Sequence, residues 1–189
     1  KYAPAIQNNS KGPVIGINKS MLIHRLFPLY YNFFTNLGCK VIVPDDIDTD
    51  SLNRQTSSFC YPAQVALGLF GNLIQKNPDY FFMPHTEEMH VTNGIDRKEF
   101  SAVCIFDQGE GFWMKQLFSD KNIGNKFLMP TINFSRGFES AAKDFTEIGV
   151  KLGFRKSAAE KSYKKAVEIQ REFKKERKAI GLKVLEDIR

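Results

Sequence analysis

The sequence predicts an α/β fold: a three-layer α/β/α, Rossmann-like domain with a mostly parallel sheet of about five strands and a long C-terminal helix. Three observations predict it. Short β-branched or aromatic runs alternate with stretches of helical apolar spacing. The first strand, helix and strand close within ~30 residues, the length of a crossover between parallel strands. The last stretch, Ser157 to about Asp187, keeps one apolar stripe among many charges.

The elements follow in chain order. Residues 1–13 are a polar lead-in with Pro4 and Gly12. Val14-Ile15-Gly16-Ile17 is a short buried strand. Leu22, Leu26, Leu29, Tyr30, Phe33, Phe34 and Leu37 recur at helical spacing, and Pro28 among them predicts a helix proper that begins near it, with a turn before. Gly38 suits the position after a helix end, and Cys39 to Val43 is the next strand. Pro44 to Ser58 is loop with one helical turn. Pro62 to Lys76 is a helix, with Val65, Leu69 and Leu73 on its apolar face. Asp79 to Met83 is a strand closed by Pro84. His85 to Glu99 is polar and reads as loop, Phe100 to Phe106 as strand, Glu110 to Phe118 as helix. Lys126 to Met129 is the fifth strand, and Phe138 to Leu152 an amphipathic helix. The organisation is therefore a lead-in (1–13), an α/β domain (14–154) and a long charged helix (155–189) that leads toward a following domain of a longer chain.

Composition excludes several classes. With 189 residues, 42% hydrophobic and 25% charged, the chain has room for one real core. The net charge of +6 is concentrated in residues 155–189, where Lys and Arg outnumber Asp and Glu; the remainder is close to neutral. Such a distribution marks a solvated helix face, and no nucleic-acid motif accompanies it. No signal peptide and no apolar run near ~18 residues is present, so no membrane partner is expected. Three cysteines, at 39, 60 and 104, form neither an even disulfide framework nor a CxxC pair, which fits a reduced, cytoplasmic protein.

The chemistry-bearing candidates collect at the carboxyl ends of the predicted strands, where α/β folds bind ligands. Cys60 precedes Pro62 at the mouth of a helix, where N–H groups and the helix dipole favour a negative charge on sulfur. Cys104 falls late in its own strand, and His85 and Asp107 lie just beyond strand ends. Cys60, Cys104 and His85 together offer the soft and borderline donors of a metal or cluster site. Cys60 with His85 could alternatively form a nucleophile and base. Cys39 opens an apolar strand and belongs to the core. Gly109-Glu110-Gly111 before a helix could touch a phosphate, though no GxGxxG or Walker pattern is present. Asp45-Asp46 and Glu87-Glu88 read as solvated carboxylates.

The order of segments carries a resemblance. Gly16-Ile17-Asn18-Lys19, the aromatic helix with Pro28 and Phe33-Phe34, Cys60-Tyr61-Pro62-Ala63 with Gly68, Asp79 to Pro84, and Cys104 together resemble the domain found in acyl-CoA dehydratase activase-related proteins, relatives of the 2-hydroxyglutaryl-CoA dehydratase activators. The terminal helix, with Ala166, Gln170, Phe173 and Gly181, resembles the helix leading into that family's next domain. The resemblance implies a Rossmann-like domain of an oxygen-sensitive electron-transfer system. Cys60 and Cys104 would be ligands of an iron–sulfur cluster, with His85 as a further cofactor-binding residue. It implies ATPase and dehydratase-like domains of the parent chain as partners, and a domain not active alone. This chain has His85 where many relatives carry Cys, Gln64 where they carry Lys, and Leu67 and Leu69 where histidines flank the glycine. Those departures point to the alternative, a scaffold domain that has lost the cluster.

Overall fold

The computed structural model describes residues 1–2, 11–55, 60–91 and 98–188. In chain order the elements are β1 (Val14–Ile17), α1 (Ile23–Asn36), β2 (Lys40–Ile42), α2 (Thr49–Leu52), α3 (Tyr61–Gln75), β3 (Tyr80–Phe82), β4 (His85–Met89), α4 (Lys98–Ser101), α5 (Ile105–Leu117), β5 (Phe127–Leu128), β6 (Thr131–Phe134), α6 (Ala142–Lys151) and α7 (Lys156–Asp187). The main sheet has the order β2-β1-β3-β5, and all its pairs are parallel. Side chains alternate across it with period two. Ile15, Ile17, Phe82 and Leu128 join the core under α1, α6 and α7, whereas Phe81, Met83 and Phe127 join a second core under α3 and α5. The three-layer α/β/α expectation therefore holds.

Two regions depart from the expected elements. His85 to Met89, expected as loop, is strand β4, which pairs in parallel with β6 in a separate two-stranded sheet. The parallel contact runs on from β3–β5 through Met83 N–H to Leu128 O and His85 N–H to Pro130 O. Pro84, between β3 and β4, and Pro130, between β5 and β6, have no N–H to give, so the ladder is interrupted there and the pair splits off as its own sheet. The rest of that expected loop, residues 92–97, lies outside the described residues, as do 3–10 of the lead-in and Ser57-Ser58-Phe59. The expected strand Phe100–Phe106 is also different: α4 ends at Ser101, a single bridge joins Ala102 to Glu88, and α5 begins at Ile105.

Pro28 does not mark the start of α1; it lies inside it. Proline lacks an N–H and its ring crowds the preceding turn, so an uncompensated break is expected there. The compensation comes from α7. Gln170, buried, accepts from the Leu29 N–H at 3.1 Å and donates to the Arg25 carbonyl at 2.7 Å, so one side-chain amide joins the two backbone groups on either side of the disturbance. Ser162 adds a bond from its Oγ to the Phe33 carbonyl at 2.7 Å.

Aromatic packing fixes the same contact. Phe145 of α6 stacks on Tyr163 of α7 with centroids 4.4 Å apart and meets Phe33 of α1 edge-on at 4.9 Å. Gly149 allows α6 and α7 to approach: a Cβ there would lie 2.5 Å from the Ala159 Cβ. The first half of α7 is thus part of the domain body. No helix among the described residues is long and apolar enough to cross a membrane.

Candidate functional site

Strand order reverses at β1, with β2 on one side and β3 on the other, and the place beyond its carboxyl end is where α/β folds commonly bind ligands. Asn18 fills that position. It is wholly buried, and its Nδ2 donates to the Ala66 carbonyl of α3 at 3.2 Å and to Glu110 Oε1 of α5 at 2.8 Å. Ser20 Oγ donates to the same carboxylate oxygen at 2.6 Å. The Asn18 Oδ1 is buried with no hydrogen-bond partner among the described residues.

Glu110 is 4% exposed, and burial pushes its pKa up to about 7. The bonds from Ser20 and Asn18 pull it down, while the nearby charge of Asp107 pushes it further up. Asp107, three residues earlier on α5, accepts from the Leu22 N–H at 3.0 Å and so pins the chain entering α1 to α5. Burial raises its pKa and the bond from Leu22 opposes that rise. Neither Asn18 nor Ser20 was distinguishable in the sequence from an ordinary turn, and Glu110 was visible only as the centre of a Gly-Glu-Gly run. That run lies inside α5, not in a turn before it, and a Cβ on Gly111 would sit 3.1 Å from the Met83 carbonyl oxygen. Close packing on β3, not a phosphate, accounts for Gly111.

The two accessible cysteines stand on these same helices. Cys60 is the residue immediately before α3, half-buried, with its carbonyl accepting from the Gln64 N–H at 3.1 Å. Cys104 is not late in a strand but immediately before α5, and it is exposed. Cys60 lies six residues before Ala66, and Cys104 six residues before Glu110, the two residues that the Asn18 amide joins. Each cysteine therefore leads its helix by about 9 Å of rise from the shared bridge. Cys39 is buried in the core, and burial pushes its thiol pKa up to about 12, which leaves it inert.

His85 opens β4, and its Nδ1–H donates to the Gln108 carbonyl at 2.7 Å. Gln108 in turn bonds back to the Cys104 carbonyl at 3.0 Å, so His85 and Cys104 are both tied to the first turns of α5. The bond places a proton on Nδ1, and Nε2 lies 4.0 Å from Glu87 Oε1. A histidine that donates one nitrogen to a carbonyl and presents the other has the arrangement common among metal ligands. As a holder for an iron–sulfur cluster the donor set is nevertheless incomplete. Among the described residues no three His, Cys, Asp or Glu side chains group as a metal site. The chemistry of two thiols at helix starts suits a cluster, and their number does not fill one.

A sequence profile described as the CoA enzyme activase uncharacterised domain matches residues 14–189. No curated protein and no solved structure matches the chain.

Proposed function

The chain belongs to the family described as the CoA enzyme activase uncharacterised domain, and from that premise we propose that it is a redox accessory domain of an acyl-CoA dehydratase activase-like protein. Cys60 and Cys104 would supply two thiolate ligands to an iron–sulfur cluster, with His85 or groups of a neighbouring domain completing the set. Such a cluster supplies low-potential one-electron transfer when bound. The observation that supports the reading is the matched placement of the two sulfurs, each at the head of a helix and each six residues before the Asn18 bridge. At a helix start the exposed N–H groups and the dipole stabilise the negative charge that a thiolate ligand carries. His85, through Gln108, holds the first turns of α5 in place. Reduction, ATP hydrolysis and the acyl-CoA reaction belong to other parts of such a system.

The test is anaerobic reconstitution with iron and sulfide, read by bound iron and by visible charge-transfer absorbance. Wild-type chain and a Cys39→Ala control are expected to take up iron, while Cys60→Ser and Cys104→Ser each lose most of it. Equal iron in the parent and both serine variants would end the ligand assignment. The second reading, a scaffold domain that no longer holds a cluster, is favoured by the lack of a third grouped donor among the described residues. It predicts no iron uptake by the parent and a melting temperature indifferent to Cys60→Ala.

A further inference from the structure

One seam of alternating three- and four-residue spacing, mostly apolar, runs along α7, and the domain body covers only its first half. Ala159, Tyr163, Ala166 and Gln170, spaced alternately by four and three residues, are buried against the domain. The same alternation continues without a break through Phe173, Arg177, Ile180, Val184 and Asp187. Phe173 is met edge-on by the ring of Tyr2. Beyond it Ile180 is 59% exposed and Val184 50%. The helix therefore carries a seam in register with its own docked interface and leaves it open to water.

Gly181 lies beside that seam, on the flank where Val167 is buried in the first half. A glycine inside a helix weakens it relative to alanine. A Cβ at this position would meet nothing within 4 Å, so no close contact among the described residues calls for its absence.

We infer that the distal half of α7 is a self-association surface, on which the same helix of a second copy packs antiparallel. A parallel pair is excluded by the body: α1 already occupies the seam over the first half, and two bodies would meet at one level. In the antiparallel arrangement each tip runs toward the other body and the open halves face each other. In the register that pairs the two open apolar positions, Ile180 lies opposite Val184 of the second copy, and Val184 opposite its Ile180. The next layer outward on each side pairs Arg177 with Asp187. The two charged residues of the open seam thus meet each other with opposite sign, and the two-fold axis passes beside Gly181, where the backbones come closest. Two apolar layers flanked by two ion pairs form a small contact, at the weak end of specific interfaces.

Sedimentation equilibrium of the whole chain tests this, with circular dichroism confirming that each variant keeps its helix content. The wild-type chain is expected to dimerise at concentrations near ~100 μM. Ile180→Glu should abolish the dimer, and Gly181→Leu should weaken it even though leucine favours the helix more. Arg177→Glu or Asp187→Lys alone should weaken association about tenfold, and the two together should restore it, since each new charge again faces its opposite. A chain that stays monomeric at ~500 μM, a dimer that Ile180→Glu leaves intact, or a double charge reversal that fails to recover the loss would each overturn the assignment. Iron binding by Cys60 and Cys104 does not enter any of these readouts.

Discussion

Replacing Gln170 by leucine is expected to lower the unfolding free energy by about 3 kcal/mol, because it strips partners from two backbone groups at once, one buried and one part-buried. The Leu29 N–H and the Arg25 carbonyl are both held by this one amide. Leaving a buried donor or acceptor unpaired costs roughly 1–3 kcal/mol each, whereas the leucine fills similar space and adds little strain. For a chain of this size the melting temperature should fall by about 6–12 °C. A second variant identifies the cause. Pro28→Ala lets α1 close its own ladder, so in that background Gln170→Leu should cost clearly less. Equal losses in both backgrounds would show that Gln170 acts by packing alone.

Glu110→Gln is expected to do the reverse and stabilise the protein in mild base. The folded pKa is about 7, against an ordinary value of 4.5, so between these values the folded state holds a proton that the unfolded state has released. The sign follows: stability falls as pH rises through this window and levels off above it. The full cost of ionising Glu110 in place is about 3 kcal/mol on the standard conversion of pKa shift to free energy. Glutamine keeps an oxygen for Ser20 and Asn18 and carries no charge, so it avoids much of that cost. At about pH 8 the variant should melt roughly 4–8 °C above the parent, and the gap should shrink as the pH falls toward about 5. Melting curves across that range check it. A difference that does not vary with pH would mean the carboxylate is not the titrating group.

Periodicity made most of the sheet and the helices legible. Alternating apolar runs marked β1, β2, β3 and β5, and three- and four-residue spacing marked α3, α6 and α7. The failures have physical causes. β4 reads His-Thr-Glu-Glu-Met, with no β-branched or aromatic alternation, because one side faces water and its order comes from β6 across the ladder. Phe100 to Phe106 looked strand-like from composition, yet two of its large apolar residues, Phe100 and Ile105, are exposed. Pro28 is tolerated inside a helix only because a residue far along the chain repairs the damage, and no local pattern encodes that. For the candidate site, Cys60, Cys104 and His85 were visible as residue types with metal-binding chemistry. The bridge of Asn18, Ser20 and Glu110 was not, since it exists only once three distant segments are folded together.

That bridge makes the domain a caliper. One buried amide grips α3 and α5 at matched depth, so neither jaw shifts without straining the hydrogen bonds of the other. The spacing of the two helices at that level is set by the framework of the protein, through hydrogen bonds that a shift of either helix would strain.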